Sequence, residues 1–252
     1  MNKVTLPMLK GAKGKKKISM VTCYDFTFAK LVERSEMDTI LVGDSLGNVI
    51  KGQPTTIGVE TSEIAYHVKA VRKGAPSPFL VADMPFGSYQ TSIEKGMENA
   101  VELMKAGAEA VKVEGGQEVA QLISRLVSFG IPVIGHVGLT PQYVNKFGGF
   151  GKRGKTKEER DFIKRSALIV EEAGADMIVL ESVPDKLASE ITQELKIPTI
   201  GIGAGKETDG QVLVIYDLLG MDKNFNPSFL KKYCNLDDII TKALKEYIKD
   251  IE

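Results

Sequence analysis

The sequence predicts an α/β fold in which eight parallel strands and their helices close into a single (β/α)8, or TIM, barrel. Two observations lead to this prediction. Short runs rich in valine, isoleucine and leucine recur along the chain, and longer amphipathic stretches separate them. Continuous apolar strands are typical of a parallel sheet covered on both faces. The length of 252 residues is also the usual size of such a barrel.

Eight apolar runs supply the predicted strands. Isoleucine–proline pairs open the fifth and the seventh run, and proline is tolerated at the beginning of a strand. In chain order the runs are 18–25, 39–45, 78–86, 110–116, 131–139, 176–182, 197–205 and 211–220.

The amphipathic stretches between the runs supply the predicted helices. They have apolar residues at helical spacing, and several end at a glycine, which commonly terminates a helix. The predicted helices lie within 61–74, 91–109, 157–176, 183–198 and 236–252. We therefore expect eight strand–helix alternations in one domain over residues 1–252. An open doubly wound sheet is the alternative, but it predicts a glycine-rich turn after the first strand, where this chain has TCYDFTF (22–28).

The charge balance, the apolar stretches and the cysteines of the sequence indicate which partners and which compartment to expect. Lysine plus arginine and aspartate plus glutamate balance at 33 each, so the formal net charge is zero. A neutral chain gives no reason to expect nucleic acid or an anionic membrane surface as a partner. No apolar stretch in the sequence approaches the length that spans a bilayer. Two cysteines that are far apart fit a reducing compartment, and we expect a cytoplasmic protein.

The first seventeen residues read as a basic N-terminal arm (1–17). They lack the apolar core of a signal peptide and the arginine and serine that transit peptides favour. Lysines cluster at 13–17, and we expect them to form a solvated arm. An arm that binds an anion is the alternative.

Ionisable residues stand at or near the carboxyl ends of six predicted strands. In a parallel barrel these ends converge on the face that carries the active site. Any single carboxylate there is better explained as the cap of a neighbouring helix, but six such groups together predict one pocket. They are Asp25, Asp44, Asp83, Glu114, His136 and Glu181.

Three of these carboxylates form a candidate metal site. Carboxylates that face one another repel, and a hard divalent cation relieves the repulsion. Mg²⁺ prefers oxygen ligands and commonly keeps waters, so we expect Asp44, Asp83 and Glu114 to surround it. An ordered carboxylate–lysine network without metal is the alternative. Zinc is not indicated, because the chain has only two histidines, His67 and His136.

Two further residues extend the predicted pocket. Lys112 precedes Glu114 by two residues, so strand alternation places both side chains on the same face. A buried lysine needs an anionic partner, which is either a neighbouring carboxylate or a substrate oxygen. Glu181 is the candidate general base. Burial without direct contact to a cation would raise the pKa of such a carboxyl group.

Eight segments, in order and spacing, resemble the 3-methyl-2-oxobutanoate (ketopantoate) hydroxymethyltransferase family. Each motif is weak alone, but the ordered set over residues 18–234 is specific. The segments are YDFTFAKL, LVGDSLG, YHVKAVRKGAP, ADMPFGSY, VKVEGG, GHVGLTPQ, LESVP and GIGAG followed by TDGQVLV.

The resemblance implies a barrel like those of phosphoenolpyruvate mutase and isocitrate lyase. It implies transfer of a hydroxymethyl group from 5,10-methylenetetrahydrofolate to 3-methyl-2-oxobutanoate, with one Mg²⁺ per subunit, in pantothenate biosynthesis. It also implies a large homo-oligomer, often a decamer. Residue by residue, the motifs imply a Mg²⁺ site at Asp44, Asp83 and Glu114, keto-acid contacts from Asp44, Ser45, Asp83 and Lys112, Glu181 as the proton acceptor, and His136 in the same pocket.

One segment departs from the family pattern. After VNKFGGF the family usually has a lysine, a small apolar residue and a glutamine before the next glycine, whereas this chain reads GKRGKTKEER (151–160). We interpret this loop as a mobile lid, with a solvated loop as the alternative.

Two other functions compete with the transferase hypothesis. A lyase or mutase of the related barrels also uses Mg²⁺ and an enolate, but the cysteine-bearing loop typical of the lyases is missing from this sequence. A non-catalytic binding barrel is the second, and the intact set of ionisable residues argues against it.

Overall fold

Eight parallel strands close into a barrel in the computed structural model, which describes residues 2–252. Each strand pairs with the next, and β8 pairs with β1 in the register Ile18↔Gly210. The predicted barrel is therefore confirmed and the open sheet is excluded. The strands are β1 Ile18–Thr22, β2 Thr39–Val42, β3 Phe79–Asp83, β4 Ala110–Glu114, β5 Val133–Gly138, β6 Met177–Glu181, β7 Thr199–Ile202 and β8 Gly210–Leu213.

Helices surround this sheet over most of its circumference. Two 3₁₀ turns, Gln117–Val119 and Pro141–Tyr143, lie in the loops after β4 and β5. The α-helices are α1 Leu6–Ala12, α2 Phe26–Arg34, α3 Leu46–Val49, α4 Thr61–Gly74, α5 Ile93–Ala106, α6 Ala120–Ser128, α7 Val144–Phe147, α8 Lys157–Glu172, α9 Asp185–Glu194, α10 Ile215–Leu218 and α11 Leu236–Ile251.

The expected alternation of eight strands with eight helices is wrong at one place. A loop, 203–209, joins β7 directly to β8. Its seven residues are too few for a helical crossover, and they include two glycines with positive φ, Gly203 and Gly205. Left-handed backbone of this kind forms turns rather than helices.

The inward-facing side chains divide the barrel interior into an apolar end and a charged end. Near the amino ends of the strands a buried cluster includes Met20, Phe79, Ile134 and Met177. Two to four residues later in β3, β4, β5 and β6, the inward-facing positions are occupied by ionisable residues. The outward-facing residues form a second cluster under the helices. Apolar packing at one end thus supports the polar groups at the other.

The N-terminal arm is docked on the barrel rather than freely solvated as expected. Helix α1 places Leu9 in the inner apolar cluster, where its side chain is buried. Lys13 Nζ lies 2.8 Å from Asp209 Oδ2, and Lys16 Nζ lies 2.9 Å from Asp38 Oδ1. Because these carboxylates also accept backbone hydrogen bonds of the barrel, the arm is tied to the amino-end face.

Replacing Lys13 by methionine is expected to lower the free energy of unfolding by about 1–2 kcal/mol at pH 7, as for a lost hydrogen bond to a charged group. Burial opposes the charge on Asp209, but Lys13 and the Thr199 amide outweigh it and lower the pKa of Asp209. A lowered carboxyl pKa stabilises the fold above its unfolded value, and this gain is lost as the pH falls through the folded value. The difference in the free energy of unfolding between the wild type and Lys13→Met should therefore shrink near pH 3.

Urea unfolding at pH 7 and pH 3 measures this effect. Lys15→Met is the matched control, because Lys15 is exposed and makes no ion pair within residues 2–252. Equal losses in the two variants would show that the contact with Asp209 contributes nothing.

The last helix, α11, differs from the others because none of its residues is buried. One side of it carries apolar side chains that are largely exposed, among them Leu244, Tyr247, Ile248 and Ile251. Its length and polarity do not mark it as a membrane span, and no other helix within residues 2–252 qualifies either.

Candidate active site

Five of the six strand-end residues meet at the carboxyl end of the barrel. Asp44, Asp83, Glu114 and His136 are buried there with Lys112, and Glu181 is partly exposed beside them. Asp25 does not join them. Its Oδ1 accepts a hydrogen bond of 2.9 Å from the Phe28 amide, so Asp25 is the N-cap of α2. For this residue the helix-cap alternative is the correct one.

Lys112 lies among the buried carboxylates. Its Nζ is 2.5 Å from Asp83 Oδ1 on the neighbouring strand and 3.6 Å from Glu114 Oε1 on its own strand. Strand alternation therefore places Lys112 and Glu114 on the same face, as predicted. Burial favours the neutral amine, but Asp83, Glu114 and Asp44 outweigh it and raise the pKa of Lys112. The lysine is a fixed cation in this site.

His136 connects Glu114 to Glu181. Its Nδ1 lies 3.2 Å from Glu114 Oε1, and its Nε2 lies 3.2 Å from Glu181 Oε2. Burial and the Lys112 charge favour the neutral ring, but the two carboxylates outweigh them and raise the pKa of His136 to about 9. This raised pKa favours the protonated ring, so His136 places positive charge beside Glu181.

The surroundings of Asp44 and Asp83 disfavour the ionised form of both carboxyl groups. Asp44 N–H donates a 3.0 Å hydrogen bond to Asp83 Oδ2, which holds the two residues side by side. Burial raises the pKa of Asp44 well above its ordinary value, and the charges of Asp83 and Glu114 add to this. Burial also raises the pKa of Asp83, although Lys112 counteracts it. Both groups gain from a further cation.

Glu114 has the opposite electrostatic balance. Burial alone would raise its pKa, but Lys112 and His136 outweigh burial and lower the pKa of Glu114. Its Oε2 also accepts a 3.1 Å hydrogen bond from the Gln142 amide. Glu114 is consequently ionised and held in one orientation.

Gln142 and Tyr89 belong to the site and were missed by the sequence analysis. Gln142 Nε2 donates to Asp44 Oδ2 and to Met84 O, both at 3.0 Å. Tyr89 Oη accepts from the Glu114 amide at 3.1 Å and lies 2.9 Å from Gln142 Oε1, to which it donates. Both residues stand inside motifs already noted, GHVGLTPQ and ADMPFGSY, but their neutral side chains gave no signal.

Ser45 lies at the edge of the acidic cluster. Its Oγ is 2.8 Å from the hydroxyl of the buried Tyr24. A Cβ on Gly43 would lie 2.9 Å from Ser45 Oγ and 3.5 Å from Asp83 Oδ2. A glycine at position 43 therefore lets the serine hydroxyl and the aspartate share this corner of the pocket.

The donor set is suited to a hard cation. Asp83 Oδ1 and Glu114 Oε1 are buried carboxylate oxygens that make no well-aligned hydrogen bond. Within residues 2–252, no three His, Cys, Asp or Glu side chains are arranged to hold a metal ion together. Mg²⁺ commonly takes one or two protein carboxylates and keeps several waters, so a site for this ion does not need three side chains in direct contact with it.

The atypical loop lies against the end of β6. Arg153 N–H donates a 2.8 Å hydrogen bond to Ser182 O, and the Arg153 guanidinium lies 2.5 Å from Glu159 Oε1. Ser182 follows Glu181 directly and has a φ of 47°, a left-handed value that is uncommon outside glycine. The loop is thereby connected to the backbone that carries the candidate base.

Solved structures share this fold at low sequence identity. A crystal structure of phosphonopyruvate hydrolase in complex with oxalate and Mg²⁺ matches with a TM-score of 0.66 and 16% identity, covering 100% of this chain and 87% of that one. 2,3-Dimethylmalate lyase, a member of the phosphoenolpyruvate mutase/isocitrate lyase superfamily, matches with a TM-score of 0.60 and 16% identity, over 98% of this chain and 100% of its own. These likenesses confirm the predicted type of barrel.

Curated relatives are much closer in sequence. The 3-methyl-2-oxobutanoate hydroxymethyltransferase of Thermotoga sp. (strain RQ2) is 54% identical over 97% of this chain and 90% of the relative. The proteins of the same name from Leptospira interrogans (51%, covering 95% and 91%) and Clostridium beijerinckii (47%, covering 100% and 92%) are similar too. A family model described as ketopantoate hydroxymethyltransferase matches residues 3–252. The chain therefore belongs to the ketopantoate hydroxymethyltransferase family.

Proposed function

We propose that the protein transfers a hydroxymethyl group from 5,10-methylenetetrahydrofolate to 3-methyl-2-oxobutanoate, giving 2-dehydropantoate for pantothenate biosynthesis. Carbon C3 loses a proton and forms a bond to the methylene carbon, water supplies the hydroxyl oxygen, and tetrahydrofolate is released. The observation that carries the proposal is the buried cluster of Asp44, Asp83, Lys112 and Glu114 beside the accessible carboxylate of Glu181. This cluster provides charge for a keto acid and a base next to it.

Each residue has a separate task in this proposal. Glu181 accepts the C3 proton, because it is the partly exposed carboxylate at the edge of the cluster. Lys112 and Ser45 hold the oxygens of the keto acid with Asp44 and Asp83. His136 lies between Glu114 and Glu181 and sets the orientation of the base. Gln142 and Tyr89 keep Asp44 and Glu114 in place.

Asp44, Asp83 and Glu114 are the residues that would hold the Mg²⁺ ion. When bound, a divalent cation supplies Lewis acidity that favours loss of a proton next to a carbonyl group. The raised pKa values of Asp44 and Asp83 support this assignment, since both carboxyl groups are more stable in ionised form beside a cation.

We further propose a cytoplasmic homo-oligomer, with a decamer as the expected assembly, and partners limited to small molecules. Neither nucleic acid nor membrane is expected to bind a chain of zero net charge. The exposed apolar side of α11 supports self-association, because large apolar patches commonly mark protein–protein contacts.

The experiment that tests the function is hydrogen exchange at C3 of 3-methyl-2-oxobutanoate in D₂O, followed by proton NMR. With Mg²⁺ present and folate absent, we expect the C3 signal to disappear at a rate at least about 100-fold above the uncatalysed one, as for general base catalysis. Chelation with EDTA should remove this acceleration.

Adding the methylene donor should then convert the keto acid to 2-dehydropantoate. Exchange without product would indicate a lyase or mutase rather than a transferase. A protein that neither exchanges the proton nor forms product would contradict the proposed function and leave the non-catalytic barrel.

A further inference from the structure

Tyr24 connects two sequence motifs that have no role in the reaction so far. It opens the segment YDFTFAKL two residues after β1, and only 1% of its surface is exposed. Its backbone carbonyl oxygen accepts a 2.5 Å hydrogen bond from Nδ1 of His67, which belongs to the segment YHVKAVRKGAP on α4. The histidine therefore fixes the backbone of Tyr24 to helix α4.

The hydroxyl group of Tyr24 is buried beside two other hydroxyl groups. Its Oη lies 2.8 Å from Ser45 Oγ. Burial raises the pKa of Tyr24, although its hydrogen-bonding neighbours Ser45 and Thr22 counteract this. Thr22 Oγ1 accepts a 3.1 Å hydrogen bond from the Ile215 amide, so its own proton is available to Tyr24. The neutral Tyr24 hydroxyl keeps a proton that needs an acceptor, because a buried tyrosine hydroxyl is costly to leave unpaired.

Ser45 does not use its hydroxyl group to cap a helix. It stands at the N-cap position of α3, where a serine side chain commonly accepts a backbone hydrogen bond, but here it makes no such bond. Within residues 2–252, Tyr24 Oη is the only hydrogen-bond partner of Ser45 Oγ. Ser45 is partly exposed and follows Asp44 directly. Its hydroxyl proton is thus left for a molecule in the barrel mouth when Tyr24 donates to its oxygen.

A keto acid fixes the direction of these hydrogen bonds. Its carboxylate and keto oxygens have no proton to donate and only accept. Ser45, as a keto-acid contact, therefore has to donate its proton to one of them. The Ser45 oxygen then accepts from Tyr24, which is the donor of the 2.8 Å contact. Hydrogen bonds in such a chain polarise one another, and the bond to a charged acceptor is the strongest of them.

We propose that Tyr24 is a positioning residue for substrate binding, whose hydroxyl donates to Ser45 Oγ and directs the serine proton toward the bound keto acid. This assignment rests on the proposed function, which makes Ser45 a keto-acid contact. Tyr24 then affects the affinity for the keto acid through Ser45, and it takes no part in proton abstraction by Glu181.

Binding of 3-methyl-2-oxobutanoate in the presence of Mg²⁺, measured by calorimetry on the full chain, tests the proposal. Ser45→Ala is expected to raise the Kd at least about tenfold, as for a lost hydrogen bond to a charged group. Tyr24→Phe should raise it about three- to tenfold, as for a lost neutral hydrogen bond. The double variant should bind no more weakly than Ser45→Ala alone, because the two residues act as a unit.

Tyr216→Phe is the matched control. Tyr216 lies on α10 and packs against Tyr24, with the ring centroids 5.8 Å apart. Its hydroxyl makes no hydrogen bond within residues 2–252, and it does not contact Ser45 Oγ. Removing this hydroxyl alters the same aromatic cluster but leaves the serine unchanged, so the Kd should equal that of the wild type.

The C3 exchange assay separates positioning from base catalysis. For Tyr24→Phe we expect a raised KM for the keto acid with an unchanged kcat, the pattern of lost substrate binding. A lower kcat with an unchanged KM would overturn the assignment, because Tyr24 would then act on the proton transfer.

The binding outcomes are equally decisive. A wild-type Kd in Tyr24→Phe or in Ser45→Ala, whatever the melting temperature, would overturn the assignment. A double variant that binds clearly more weakly than Ser45→Ala would do the same, since Tyr24 would act independently of the serine. Equal losses in Tyr24→Phe and Tyr216→Phe would reduce the effect to aromatic packing. A wild type that binds the keto acid without exchanging its C3 proton would contradict the proposed function and leave this assignment standing.

Discussion

The Glu181→Gln variant is expected to exchange the C3 proton of 3-methyl-2-oxobutanoate about 10²–10⁴-fold more slowly than the wild type, the range typical of a lost general base. Glutamine has the same shape and retains an oxygen near His136 Nε2, which lies 3.2 Å from the wild-type carboxylate. It cannot accept a proton at neutral pH. The loss should therefore appear in the rate, not in the folding of the protein.

NMR exchange rates and melting temperatures of the same samples measure the two effects. Glu172→Gln is the control, because Glu172 is an exposed carboxylate near the end of α8. If Glu181→Gln retained rapid exchange, a different group would have to accept the proton. If it unfolded at a much lower temperature, its main role would be structural.

The Lys112→Met variant is expected to lose about 3–5 kcal/mol of folding free energy, the usual cost of breaking a buried ion pair. The lysine Nζ lies 2.5 Å from Asp83 Oδ1 and 3.6 Å from Glu114 Oε1. Methionine fills similar space but leaves these buried carboxylates without the cation. It also removes a proposed keto-acid contact, so exchange should be lost as well.

The destabilisation of Lys112→Met should grow with pH. Burial already raises the pKa of Asp44 and of Asp83 in the folded protein, and Lys112 lowers both. Without the lysine these carboxyl groups bind protons more tightly when folded than when unfolded. Stability then falls as the pH rises from the unfolded value toward the folded value.

Urea unfolding of Lys112→Met at pH 5 and pH 8 measures this dependence, and Mg²⁺ should restore more stability to the variant than to the wild type. Lys105→Met is the control, because Lys105 is exposed on α5. A loss of stability that is independent of both pH and Mg²⁺ would point to poor packing of methionine rather than to uncompensated charge.

Much of the fold follows from local patterns that the sequence displays directly. The predicted helix 61–74 matches α4, Thr61–Gly74, because its apolar face and terminal glycine are both local signals. The predicted helix between β7 and β8 is wrong, because the short interval between Ile202 and Gly210 leaves no room for a helix. Closure of β1 on β8 is a long-range pairing that no local segment specifies.

Only the charged residues of the site could be predicted from the sequence. Asp25 and Asp44 have the same pattern, a carboxylate between an apolar strand and a helix, yet the first caps α2 and the second lies in the cluster. Which one faces the pocket depends on backbone geometry after the strand. Gln142 and Tyr89 fix the carboxylates through neutral hydrogen bonds, and such residues become recognisable only when their partners are brought together in space.

The exposure of helix α11 affects which substitutions the protein tolerates. The barrel is complete at β8, and the final sixteen-residue helix buries none of its side chains against it. Substitutions along that segment carry little penalty for the hydrogen-bonded ring or the chemistry at its mouth. Under the proposed self-association through α11, the packing of subunits can therefore differ among related chains while the residues of the barrel mouth stay the same.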